Sequence, residues 1–267
     1  MDPDPVDPGL GDNLLRNPGF DNAGGSLADW NLIGNVIPNV SADSAMATDG
    51  SHALKIFGQF NGQTNTSGVW QGVAVTPGDS LVATASTRSP SWDTLAGKDN
   101  SVTMQVEFFD NRGVEIASAA GAGAVSQLLH DGSSPADLWL DHSLEAVVPE
   151  GAVEARLSLL FDQRSNDTGA VWIDGAGLFI VPPVLGGDYN NDGVVDTADY
   201  TVWRDNLGAP AGTLPNDVDG GQIDNRQYET WRSNFLEAAA EAAAATPEPA
   251  SLSLVLALSL ALHTRQR

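Results

Sequence analysis

Between Asp188 and Asp199 the chain reads Asp-Tyr-Asn-Asn-Asp-Gly-Val-Val-Asp-Thr-Ala-Asp. With Asp188 as position 1, oxygen-bearing side chains fall at 1, 3, 5, 9 and 12: Asp188, Asn190, Asp192, Asp196 and Asp199. Val194 stands at position 7, where a backbone carbonyl would be offered, and the aliphatic Val195 at position 8. Hard oxygen donors at this spacing suit a calcium ion, with a water often intervening at position 9. Gly193 at position 6 supplies the sharp turn, because glycine enters the left-handed region without a steric penalty. Asp199 is one methylene shorter than the usual glutamate, so the helix after it must sit closer to the ion. This stretch is predicted to be a complete calcium site.

A second, damaged copy follows. Asp217-Val218-Asp219-Gly220-Gly221-Gln222-Ile223-Asp224 lacks one residue between positions 3 and 6, and its position 12 is Gln227, a neutral ligand. Asp217, Asp219 and Asp224 are therefore expected to form a weak or empty site, and Gln227→Ala to do little. Each loop leads into an aromatic helix. Tyr200, Trp203 and Leu207 recur at i, i+3 and i+7 with Gly208 as a cap; Tyr228, Trp231 and Phe235 repeat the pattern 28 residues on, with Arg204/Arg232 and Asn206/Asn234 also matched. A duplicated loop of the EF-hand type followed by one short helix resembles a type I dockerin, over residues 186 to 236. The resemblance implies a calcium-dependent fold and a cohesin-like or surface-layer protein as partner. The partner-facing positions it implies are Thr197 and Ala198 in the first copy and Asn225 and Arg226 in the second.

The rest of the chain divides by composition. Residues 1–12 are rich in Pro, Asp and Gly and read as a disordered leader with no signal peptide, so the start is expected to be misassigned downstream of the true one. Residues 13–181 carry short alternating runs, at 67–75, 80–86, 102–109, 155–161 and 170–174, separated by turns such as Thr76-Pro77-Gly78-Asp79. That pattern predicts an all-β domain. Asn13-Leu14-Leu15-Arg16-Asn17-Pro18-Gly19-Phe20-Asp21 with Trp30, Gly50-Ser51-His52-Ala53-Leu54-Lys55, Val69-Trp70-Gln71 and Val171-Trp172-Ile173-Asp174-Gly175 make it similar to the galactose-binding-like jelly roll of many carbohydrate-binding modules. The resemblance implies a structural calcium held by Asp21, Asp174 and the Lys55 carbonyl. It also implies a polysaccharide ligand stacked on exposed rings, for which Trp92, Trp139 and Phe60 are the loop candidates, whereas Trp30, Trp70 and Trp172 fall in core patterns.

Residues 182–187 form a linker, 188–236 the dockerin-like module and 237–246 an alanine-rich spacer. In 247–267, Pro247-Glu248-Pro249 precedes an apolar run from Leu252 to Leu262 and a basic end. This resembles a PEP-CTERM sorting signal, which implies an exosortase-type processing enzyme, transient membrane anchoring through 250–263 and an exported, cell-surface destination. The predicted fold class is thus mainly β: an N-terminal β-sandwich, a small α module with calcium loops, and a C-terminal apolar helix.

Charge narrows the partners. Twelve basic against 35 acidic residues give a net charge of −23, which opposes nucleic acid and anionic membrane surfaces. The absence of cysteine removes disulfides, thiolate metal sites and thiol nucleophiles. His52, His130, His142 and His263 show no metalloprotease spacing, and neither a serine-hydrolase elbow nor a phosphate loop is present. The sequence is therefore read as a non-catalytic exported surface protein that binds calcium and a glycan. The alternative is an assembly protein whose modules bind protein partners; a glycoside-active enzyme ranks below both.

Overall fold

The computed structural model describes residues 10–34, 40–48, 50–118 and 123–245. The leader up to residue 9, the sorting motif Pro247-Glu248-Pro249 and the apolar C-terminal segment lie outside the described residues. The chain forms two compact units, Met1–Pro182 and Pro183–Arg267.

The first unit is a β-sandwich. Strands are numbered in chain order. One sheet runs β1 (Asn31–Ile33), β4 (Asn65–Ala74), β10 (Glu154–Gln163), β6 (Ser101–Phe109), β7 (Glu115–Ile116), with β8 (Val125–His130) also on β6. The other runs β2 (Val40–Asp43), β3 (Ala53–Phe57), β11 (Ala170–Val181), β5 (Ser80–Arg88), β9 (Leu140–Val147). Every pairing is antiparallel. All five runs of alternation became strands, because period-2 patterning puts one row of side chains against the opposite sheet. Leu81, Ala83 and Ala85 from β5 meet Met104, Val106 and Phe108 from β6 and Leu157, Leu159 and Phe161 from β10 in one core.

The first residues are tied to the last strand. Asn13 donates to the Ala176 carbonyl and accepts from the Leu178 amide, at 3.1 and 3.2 Å. The register of β11 against β5 shifts between Asp174 and Gly177. A Cβ at Gly177 would lie 2.3 Å from the Phe179 ring and 2.4 Å from the Thr84 hydroxyl, so a larger residue there would displace those side chains.

The second unit holds two helices, α1 (Thr197–Asp205) and α2 (Asn225–Ala245), each following one of the two loops. The alanine-rich spacer is thus the continuation of α2 up to Ala245. Leu207 departs from the predicted apolar face. Helix α1 ends at Asp205, and Leu207 lies beyond it, 59% exposed. No helix among the described residues is long and apolar enough to cross a membrane.

Candidate calcium loop and aromatic patch

In the first loop, Asp188 Oδ2 accepts the Gly193 amide at 2.9 Å and Oδ1 the Asp192 amide at 3.1 Å. Gly193 takes φ 86°, the conformation its position demanded. Asp199 accepts from the Asn190 amide at 3.0 Å and the Asp196 amide at 2.8 Å. Asp196 caps α1 through the Ala198 amide and with Asp199 completes a capping box. Asp188 and Asp199 are both buried, and no basic side chain pairs with either among the described residues. Two buried carboxylates without a cationic partner cost several kcal/mol, a penalty a dication between them would remove. Among the described residues no three His, Cys, Asp or Glu side chains gather as a metal-holding group.

The two halves of the module interlock through indoles and a phenol. Trp203 Nε1 donates to the Asp224 carbonyl at 2.8 Å, and Trp231 Nε1 to the Asp196 carbonyl at 2.6 Å. Each helix thereby holds the other half's loop at its position 9. Tyr189 donates its hydroxyl to the Gln227 carbonyl at 2.6 Å, and burial pushes that phenol well above its ordinary pKa. Tyr200, Trp203, Tyr228 and Trp231 form a ring cluster with centroids 5.0 to 6.2 Å apart. Thr197, Ala198, Asn225 and Arg226 are all exposed at the helix starts. Arg226 pairs with Asp224 at 3.2 Å, and its backbone amide holds the Asp224 carboxyl below the usual carboxylate range.

The second loop corrects one expectation. Gln227 is fully buried, and its side chain makes four hydrogen bonds, so it is not a dispensable residue. Asp217 accepts from the Asp219 and Gly220 amides, both at 3.1 Å, and Asp219 from the Thr230 hydroxyl at 2.7 Å.

In the sandwich, Asp174 holds Thr48 and Asp21 holds Ser51. Asp174, fully buried, accepts the Thr48 amide and hydroxyl at 2.7 and 2.8 Å. Asp21 accepts the Ser51 amide and hydroxyl at 2.8 and 2.9 Å. Burial alone would raise the Asp21 carboxyl, but bonds from Ser51 and His52 take it below its ordinary value. Lys55 lies in β3, paired in register with Ser41 and Trp172.

Trp30 and Trp172 are buried as the sequence pattern implied, but in different clusters. Trp30 packs as expected, stacked on Phe20 at 5.2 Å. Trp70 is half-buried with the Arg156 guanidinium 4.4 Å above it. Trp172 is fully buried but not in the main core: Val171 and Ile173 face inward, so Trp172 stands on the outward side of the five-stranded sheet. There it forms a separate cluster with Ala53 and Ala170, against which Trp139, Phe57 and Met46 pack. Trp92, 64% exposed, meets Trp172 edge-on at 5.4 Å, and Lys55 Nζ sits 4.6 Å over the same ring. Phe60, 44% exposed, lies 6.4 Å from Phe57. Its backbone is held at φ 52°, a costly conformation for an aromatic residue, by Gln163 accepting its amide.

Thus all three loop aromatics gather around Trp172 and Phe57. Trp139 also lines a groove of about 910 Å³ with Thr84, Ser86, Asp141, Glu145 and Phe179. A smaller hollow of about 210 Å³ joins Lys55, Phe57, Phe60, Asp93 and Thr168. At the edge of the groove, Thr87 contacts His142 Nε2 at 3.0 Å and His130 Nδ1 at 3.4 Å. Burial lowers the pKa of both histidines, and for His130 the neighbouring His142 lowers it further.

No family model matches the sequence, and no curated protein matches it either. The structure is similar to that of TmCBM61 in complex with β-1,4-galactotriose, at 18% identity and a TM-score of 0.45, covering 64% of this chain and 99% of the other. It is similar to the CBM22-1 xylan-binding domain from Paenibacillus barcinonensis at 17% identity and a TM-score of 0.42, covering 64% and 96%. It is also similar to an arabinose-bound α-L-arabinofuranosidase at 18% identity and a TM-score of 0.47, covering 65% of this chain and 27% of that one.

Proposed function

We propose that the chain is a non-catalytic, exported cell-surface protein that binds a glycan on its β-sandwich and calcium in its α module. One observation carries the glycan reading: Trp92 and Trp139, 47 residues apart in sequence, both pack at the outward Trp172 cluster beside a groove of hydroxyls and carboxylates. Pyranose C–H faces stack on such rings, while Thr84, Ser86, Asp141 and Glu145 offer partners for sugar hydroxyls. Affinity electrophoresis of the full chain in gels containing xylan, β-1,4-galactan or mannan tests it. At least one polysaccharide should retard the protein, and Trp139→Ala should reduce the retardation; no retardation in any of them overturns the reading.

In the module, Asp188, Asn190, Asp192, Asp199 and the Val194 carbonyl would hold calcium, with Asp196 at the water-mediated position. The ion would supply positive charge between two buried carboxylates and thereby fix the start of α1. Asp21 and Asp174 would share a second, structural calcium with the Lys55 carbonyl. A protein partner for the module is the second reading. Val194, Leu207 and Val218 are each more than half exposed on the module, apolar side chains that a protein partner could cover. Export and surface retention rest on Pro247-Glu248-Pro249 and the apolar run behind it, processed by an exosortase-type enzyme.

A further inference from the structure

The two loops differ at their centres. In the first, position 12 is a carboxylate: Asp199 Oδ2 accepts the position 9 amide of Asp196, and Oδ1 turns into the loop. In the second, Gln227 Oε1 accepts the equivalent amide, of Asp224, at 2.9 Å. A backbone N–H must meet an acceptor, so this bond fixes the orientation of the amide and turns Nε2 inward. Nε2 lies 3.3 Å from both oxygens of Asp217 and 3.1 Å from the Gly220 carbonyl. Those are oxygens of the kind that would otherwise coordinate a cation. An N–H₂ group, carrying partial positive charge and two donors, faces them instead. Of the other two carboxylates, Asp219 accepts the Thr230 hydroxyl at 2.7 Å and Asp224 accepts the backbone amide and guanidinium of Arg226. The residues of the second loop therefore do not fit calcium.

We infer that Gln227 is a built-in substitute for the second ion: its amide closes the loop and makes that half of the module metal-independent. The inference deepens the calcium reading of the first loop and uses the same architecture, but it concerns different residues. The backbone carbonyl of Gln227 receives the Tyr189 hydroxyl, and the loop carbonyl of Asp224 receives the Trp203 indole. The metal-free half therefore grips both the start of the first loop and the first helix. It forms a preassembled base against which the first loop closes on its ion.

Calcium titration calorimetry of the full chain, with thermal scans in calcium and in chelator, tests this. Asp217→Ala should leave the number of bound ions unchanged, whereas Asp188→Ala should lower it by one. Gln227→Glu keeps the shape but places a carboxylate against Asp217. In chelator its thermal midpoint should fall below that of the wild type; calcium should restore it, with one ion more than the wild type binds. Gln227→Met, which has no donors, should be destabilised equally with and without calcium. Loss of one ion in Asp217→Ala, or a Gln227→Glu variant indifferent to both calcium and chelator, would overturn the inference. If Asp188→Ala loses no ion while Gln227→Glu behaves as stated, the first-loop reading fails and this inference stands.

Discussion

In the first loop of the α module every candidate ligand lies within twelve consecutive residues, Asp188 to Asp199, and a single turn of chain brings them together. The aromatic patch of the sandwich instead draws Phe60, Trp92, Trp139 and Trp172 from four separate parts of the chain, and only the completed five-stranded sheet assembles them. The two regions also differ in what stabilises them. The sandwich buries a continuous core from both sheets, whereas among the described residues the module's buried cluster is the smaller one of Tyr189, Leu214 and Ile223, with Val202, Trp203, Ala209 and Trp231 packed against it. A small core offers little to offset two buried carboxylates, so on the proposed calcium reading an ion would matter more to the module than to the sandwich. A ligand at a hundred times its Kd contributes about 2.7 kcal/mol, a large share of the stability of so small a unit.

The largest expected effect breaks this contrast at the module. Asp199→Ala, or chelation of the wild type, should unfold the module while the sandwich persists, seen as loss of dispersed NMR signals from the Trp203 and Trp231 indoles alone. Chelation should shift the sandwich transition only slightly, through Asp21 and Asp174, and Asp174→Asn should remove that shift. Next in size, Leu157→Ala in the sandwich core should cost roughly 2–5 kcal/mol in denaturant unfolding, equally with and without calcium, because it leaves a cavity between the sheets.

The difference in construction also explains what was legible in the sequence. Strands announced themselves by alternation, and the Asp188–Asp199 turn by the spacing of its oxygen-bearing residues and Gly193. The duplicated aromatics pointed correctly to two helices that face each other, through contacts such as Trp203–Tyr228 at 5.0 Å. Trp172 packs as the sequence pattern implied, but the cluster it packs in was not legible: β11 is buried on both sides, and alternation marks which face a residue occupies without showing that a second cluster covers the outer one. Leu207 was misplaced because the periodic pattern outruns the helix, which stops at Asp205. Gln227 was undervalued because ligand counting scores a neutral amide as a missing carboxylate, and only the hydrogen bonds reveal a donor facing Asp217.

Smaller effects sharpen the patch. Trp139→Ala should weaken polysaccharide binding about tenfold, roughly 1.4 kcal/mol, by titration calorimetry, with little change in the sandwich's thermal midpoint. The pH effect should be the smallest. Folded His130 and His142 have pKa values below the ordinary histidine value of about 6.5, so the unfolded chain binds more protons there. Sandwich stability should therefore fall as the pH drops from about 6.5 through the folded values, and His130→Leu should flatten that fall in thermal scans.

The most direct test of the central claim is retention of the full chain on the polysaccharide it binds, measured in calcium and again in excess chelator. The sandwich patch should hold the protein equally in both conditions even as the module unfolds, and a Trp92→Ala/Trp139→Ala double variant should elute unretained in both. Retention lost on chelation, or kept by the double variant, would place the glycan site elsewhere and contradict the account.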